Sequence, residues 1–392
     1  MQPTREVDFL LSCSRSFAGT CDTADVVKSA RRIDDWNAVM NLARVHDMEP
    51  LVAWQLKGAC SQGLDPAFLG ALSEVLYYNT AKYLRLTSDL IGVLRVFQAE
   101  RIPVVSVKGP ILADGLCDEF AWRDSCDLDL LVRHSDITRA KEALMAVGYR
   151  LGSQLPSGEE TAPFHWRSQL VLLRDRFGPA IDLHWQLLPS WFPCARYFHS
   201  VWERVQIAAF HGQEVLVLSV EDQLFFLCAH AARHSWETLR LVVDIARLIH
   251  TSPELDWKRA IRAGCDNDSP MVLALGLWMV NRLLQIDLPE PAAEYVEATV
   301  AGRMLAHDLS DRLLTRMPGQ YATLSGFRLQ FTLATGWWSK LRCAAGHALL
   351  PSDADGQSWR LPPSLFFLYY LYRPIRLTLK YAAEFHRRIF RT

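Results

Sequence analysis

Long apolar runs, cysteines at zinc spacing and net charge are all wanting in this 392-residue chain. No window reaches about 18 uninterrupted apolar residues, so no transmembrane helix is expected. The first residues, Met1-Gln2-Pro3-Thr4-Arg5-Glu6-Val7-Asp8, lack the basic segment and apolar run of a secretory signal, and a cytoplasmic location is the expectation. Nine cysteines form an odd set with no C-x-x-C pair, which argues against a disulfide frame or a cysteine zinc site and for reduced thiols. A formal charge of -1 gives no overall pull toward polyanions, and no long nucleic-acid footprint is expected. Internal repeats and low-complexity segments are also absent. What the chain does have is apolar residues: they make up 50% of it, enough at this length for two or three globular cores.

Residues 24–100 show helical spacing, with Trp36, Val39, Met40 and Ala43, then Leu69, Leu72, Val75 and Leu76, then Leu90, Leu94 and Phe97. This predicts a helical N-terminal region over 1–100. The texture changes at Ile102-Pro103-Val104-Val105-Ser106-Val107, a short β-branched run ended by Lys108-Gly109-Pro110, as a buried strand entering a helix should be. Asp127 to Val132 reads as a second strand, and Ser135 as the cap of a helix that runs through Ala140, Leu144 and Val147 to Gly148. Gln169 to Leu173 and Pro179 to Trp185 read as a hairpin around the loop 174–178, closing a core over 101–218. Ser219-Val220-Glu221-Asp222 resembles a capping box opening a helical domain over 219–315.

The chemistry concentrates on Asp127-Leu128-Asp129. Side chains alternate along a strand, so both carboxylates share a face while Leu128, Leu130 and Val132 take the other. Two like charges held together repel unless a cation sits between them, and hard oxygen ligands suit magnesium. Asp182 supplies a third acid on an alternating strand, paired with His184 on the face opposite Ile181, Leu183 and Trp185. Three carboxylates beside a glycine turn fit two-metal phosphoryl transfer. Asp127 and Asp129 are then metal ligands, and Asp182 completes the second metal site and takes a proton from the acceptor. Lys108 and Arg123 are candidates to meet phosphate oxygens, Gly109 lets the backbone approach them, and Ser125 and His184 join the nucleotide-contact candidates. The expected ions are two Mg2+, with Mn2+ as a substitute.

Lys108-Gly109, Arg123, Asp127-Leu128-Asp129-Leu130-Leu131-Val132, Gly148-Tyr149 and Asp182-Leu183-His184-Trp185 together resemble the bacterial nucleotidyltransferase family of the DNA polymerase β-like superfamily. The likeness reaches outward to Leu42-Ala43-Arg44-Val45-His46 and to His230-Ala231-Ala232-Arg233-His234 and Asp244, over roughly residues 8–285. It implies an α+β fold, with a polymerase β-like core and mixed sheet flanked by helical regions. It further implies transfer of a nucleoside monophosphate from a nucleoside triphosphate, ATP being one candidate, to an acceptor the family does not fix. Two departures stand out: Lys108-Gly109 occupies the place where many of the wider superfamily carry Gly-Ser, and the third acid is Asp182 rather than glutamate.

Structural alternatives stand beside each of these. The acid pair could be the solvated face of an edge strand. Lys108 could snorkel over apolar surface, and Arg123 could pair with Asp124 or Asp118 at the surface. His230, Arg233 and His234 either face the nucleotide or pack helices; Ala231 follows His230 where a zinc H-E-x-x-H would need glutamate. Cys126 is expected in the core, turned away from the acids by alternation. The extension 316–392 ends in Leu365-Phe366-Phe367-Leu368-Tyr369-Tyr370-Leu371-Tyr372 and the basic residues Arg373, Arg376, Lys380, Arg387, Arg388 and Arg391. A buried helix is its first reading and a weak membrane-surface contact its second. For the whole chain the leading acceptor is a small molecule or a protein; the rivals are a toxin-like transferase acting on tRNA and a non-catalytic nucleotide-binding scaffold.

Overall fold

The computed structural model describes residues 4–61, 63–117, 122–152, 168–174, 178–265, 270–315, 323–359 and 361–389. Residues 175–177 of the expected hairpin loop, Asp118 and Arg391 lie outside them. The N-terminal region forms α1 (Arg5–Ala18), α2 (Thr23–Ala30), α3 (Trp36–Val45), α4 (Glu49–Ala59) and the long α5 (Pro66–Ala99). Their starts are chemically marked. Thr4, Asp22, Asp35 and Asp65 each accept a backbone N–H of the first turn from α1, α2, α3 and α5 respectively.

Strand β1 (Val104–Ser106) leads through Gly109 into α6 (Pro110–Leu116). Gly109 has φ 73° and ψ −141°, and a Cβ there would lie 3.0 Å from the Asp127 carbonyl oxygen. Glycine is therefore demanded twice, by conformation and by space. β2 (Asp127–Val132) follows, then α7 (Ile137–Ala146), β3 (Arg150–Leu151), β4 (Gln169–Leu173), β5 (Ala180–His184), β6 (Gln206–Phe210) and β7 (Gln213–Val217). Ser135 does not cap α7: residues His134–Asp136 make a 3-10 turn that runs straight into the helix, with no side-chain cap bond.

The sheet is mixed, in the order β3-β4-β5-β2-β1-β7-β6 among the described residues. β2 pairs parallel with β5 and β1 parallel with β7, while the remaining neighbours are antiparallel. Alternation along β2 sorts its side chains between two cores. Leu128, Leu130 and Val132 pack with Leu90, Val93 and Phe97 of α5 and Ile137, Ala140 and Leu144 of α7, whereas Leu131 joins the opposite core. That opposite core is continuous from the N-terminal helices into α8 (Val220–Arg233), α9 (Arg240–Thr251), α10 (Trp257–Cys265) and α11 (Pro270–Leu284). The acid-bearing face of β2 thus looks toward the second helical half. Ser219 caps α8 by accepting from the Asp222 N–H, as its sequence suggested.

After α12 (Glu290–Ala298) and α13 (Val300–Thr315) come α14 (Thr323–Leu333), α15 (Trp337–Leu349), α16 (Asp353–Ser358) and α17 (Tyr369–Ile389). Asp355 is fully buried and anchors α17 by accepting from Arg373 Nη1 at 2.8 Å and Arg376 Nε at 2.5 Å. The tail is not a buried helix throughout. Phe366 and Tyr369 pack inward, but Phe367, Leu371, Ile375 and Leu379 are 60 to 67% exposed, a single row at helical i, i+4 spacing. No helix among the described residues is long and apolar enough to cross a membrane.

Candidate active site

Parallel pairing of β2 with β5 sets Asp129 directly beside Asp182, Asp127 beside Ala180 and Leu131 beside His184. Paired residues of neighbouring strands project to one side, so the three acids and His184 share a face. Asp129 is almost completely buried and is held from both ends: Lys108 Nζ lies 3.2 Å from Oδ2, and His184 Nε2 lies 3.1 Å from Oδ1. Asp182 accepts a hydrogen bond from Gln169 Nε2 at 2.8 Å. Among the described residues, donor atoms of Asp129, Asp182 and His184 fall within 4.8 Å of one another, with Asp127 outside that tight set.

The carboxylates do not titrate alike. Burial raises the Asp127 pKa and the neighbouring Asp129 raises it further, against Lys108, Arg123 and Arg240. Burial and Asp129 likewise raise that of Asp182. Burial pushes Asp129 upward too, but the Lys108 ammonium and the His184 hydrogen bond outweigh it and hold this carboxyl below the usual range. By linkage, the raised pair subtracts stability as pH climbs through its titration range, while Asp129 adds stability above the unfolded carboxylate value of about 4 and loses it as pH falls. Three acids facing one another are the kind of strain that a cation relieves.

A cavity of about 490 Å³ opens over this face, of a size suited to a nucleotide and a small acceptor group. Every site residue expected from sequence lines it: Lys108, Gly109, Arg123, Ser125, Asp127, Asp129, Asp182, His184, His230, Arg233 and His234. The last three come from the C-terminal end of α8. His230 and His234 stack with ring centroids 4.5 Å apart. Burial lowers the pKa of both, Lys108 adding to the effect at His230 and Arg233 at His234, which falls to about 4. Arg233 is lowered by burial as well, while Asp129 and Asp182 pull it back up.

Arg123 occupies the cavity wall with its guanidinium already engaged. Nε and Nη2 donate to the two oxygens of Asp244 at 3.1 and 3.0 Å, and Nη1 donates to Ser125 Oγ at 2.6 Å. Both charged side chains are 3% exposed. The pairing is neither with Asp124 nor at the surface, since Asp124 bonds Lys82 of α5. Cys126 is also displaced from its expected place: it is exposed on the cavity rim near Lys82, because the strand begins only at Asp127 and alternation does not extend back to it.

Gln169, Arg240 and Asp47 line the cavity and were not singled out from sequence. Gln169 was within reach, because counting back across the hairpin puts it opposite His184 on the acid face. Arg240 lies 3.5 Å from Asp244 Oδ2, one turn on along α9, and 3.4 Å from Asp47 Oδ2; the i,i+4 spacing to Asp244 is a local signal, whereas the link to Asp47 has none. A family model described as an uncharacterised nucleotidyltransferase matches residues 33–285, more than half of the chain. No curated protein and no solved structure matches it.

Proposed function

The chain belongs to this uncharacterised nucleotidyltransferase family, and from that premise we propose that it transfers a nucleoside monophosphate from a nucleoside triphosphate to an acceptor nucleophile, releasing pyrophosphate. The observation that carries the reading is the meeting of three carboxylates with Lys108 and Arg233 in one cavity of nucleotide size. Anionic ligands for metal and cationic partners for phosphate stand side by side there. The fold we assign is the polymerase β-like one, on the mixed sheet with its acid pair and third acid on neighbouring parallel strands.

The donor set fits divalent ions, being rich in hard oxygen and strained without a cation. Asp127, Asp129 and Asp182 would hold two Mg2+, or Mn2+ in their place. Such ions, when bound, would supply charge neutralisation at the triphosphate and acidification of the attacking group. Lys108, now on Asp129, is the nearest ammonium to the acids and serves the phosphate oxygens with Arg233. Gly109 keeps the backbone free of a Cβ beside the Asp127 carbonyl. Asp182, with its elevated pKa, accepts the acceptor's proton as its oxygen bonds the α-phosphorus and the bond to pyrophosphate breaks. His230 and His234, kept neutral at pH 7 by burial, contact the uncharged base or sugar. Arg123 and Ser125 shape the wall rather than reach for phosphate, since they bond each other and Arg123 also bonds Asp244.

The near-zero net charge favours a small-molecule or protein acceptor over a long nucleic acid. Incubating the full chain with each labelled triphosphate, Mg2+ or Mn2+ and a cell extract as acceptor source is expected to release pyrophosphate and to label one size class. No pyrophosphate with any of the four triphosphates overturns the reading in favour of a binding scaffold; label appearing on tRNA moves the acceptor to RNA.

The exposed row of Phe367, Leu371, Ile375 and Leu379 favours a second contact, with a membrane surface, since apolar side chains on one face suit the interface. Arg373 and Arg376 are turned inward to Asp355, and Lys380 is the exposed basic residue beside the row among the described side chains. Leu371→Glu with Ile375→Glu is expected to reduce co-sedimentation with phosphatidylserine vesicles by about tenfold or more. Equal sedimentation of the two proteins ends the idea.

A further inference from the structure

We propose that His184 is itself a metal ligand, completing with Asp129 and Asp182 a site of two carboxylates and one imidazole that prefers Mn2+ to Mg2+. The proposal rests on the metal-dependent reading above and adds a nitrogen ligand to it. Three observations carry it. The ligand atoms of Asp129, Asp182 and His184 already cluster within 4.8 Å of one another, whereas Asp127, first in sequence order among the acids, falls outside the cluster. The imidazole is buried, 9% exposed at its side chain, and its Nε2 faces the Asp129 oxygen at 3.1 Å. Its Nδ1 has no hydrogen-bond partner among the described residues.

The chemistry follows from these contacts. Because an ionised Asp129 carboxylate only accepts, Nε2 is the donor in this contact; for Nε2 to serve as a ligand, a neutral ring must carry its proton on Nδ1 instead. Among the described residues no partner meets Nδ1, so the ring is restrained at Nε2 and can make that exchange. An imidazole ligand gains more with Mn2+ than with Mg2+, which favours oxygen donors in near-ideal octahedral geometry. The missing partner at Nδ1 also sets a ceiling. Ligating histidines normally donate their other N–H to a fixed acceptor, and its lack lowers affinity by about 10- to 100-fold. The ion is therefore held firmly only when the triphosphate contributes oxygens of its own.

Pulsed electron paramagnetic resonance tests the assignment directly. With Mn2+ and a non-hydrolysable triphosphate, the full chain is expected to show nitrogen modulation from a bound imidazole. Uniform 15N-histidine labelling should change that pattern without any substitution. His184→Gln should abolish it while Mn2+ still binds, weaker by about tenfold; His230→Gln and His234→Gln should leave it in place. Bound Mn2+ without nitrogen modulation, or modulation that survives in His184→Gln, overturns the ligand assignment and leaves the transferase reading intact. Failure of the wild-type chain to bind Mn2+ at all overturns both.

Discussion

Asp129→Asn is expected to reduce nucleotidyl transfer by about a thousandfold or more, while leaving the fold standing. Of Asp127, Asp129 and Asp182, it is Asp129 that has a partner facing each oxygen. Asp129 takes Lys108 on one oxygen and His184 on the other, and it sits in register with Asp182 across the β2–β5 pair. Asparagine keeps the size and an acceptor oxygen but removes the charge on which the proposed metal binding rests. Stability should move little, because losing the Lys108 attraction is offset by ending the repulsion that raises the pKa of both Asp127 and Asp182. Pyrophosphate release and thermal unfolding, measured on the same preparation, check both halves. Transfer within tenfold of wild type would show that the cavity does something other than metal-dependent chemistry.

Arg123→Met is expected to produce the opposite pattern, a large loss of stability. Breaking a buried ion pair by removing one partner costs about 3–5 kcal/mol, because the other charge is left without compensation. Asp244 would be that charge, 3% exposed, keeping only the 3.5 Å contact from Arg240 Nη1. Urea unfolding should show the midpoint fall with little change in slope. Arg123→Met with Asp244→Leu should recover much of the loss, since an apolar pair avoids burying charge altogether. A variant of normal stability whose KM for the triphosphate rises steeply would instead return Arg123 to the phosphate.

Much of this was legible in local pattern. Alternation put Asp127 with Asp129 on one face of their strand and Asp182 with His184 on one face of theirs; the parallel β2–β5 pairing makes the two faces one, and every site residue named from sequence lines one cavity. Short-range periodicity carries that information because a strand fixes side-chain direction every second residue. Partnership across distance is another matter. Arg123 and Asp244 are 121 positions apart, and Arg240 and Asp47 are 193 apart. Neither spacing has a period, so the sequence offered Arg123 a phosphate and the structure occupies it with a carboxylate. The tail failed for a related reason: spacing shows that Phe367, Leu371, Ile375 and Leu379 share a stripe, but not whether anything packs against it.

The Arg123–Asp244 pair has a consequence for the order of events during synthesis. The strands that bear Asp127, Asp129 and Asp182 leave the ribosome well before α9 does. Until Asp244 emerges, the guanidinium that belongs beneath the cavity wall lacks its counter-charge, and burying it alone is prohibitive. A nascent chain therefore carries its acids on an unfinished wall, and the same ion pair that seals the interior ties the completion of the cavity to the arrival of the second helical half.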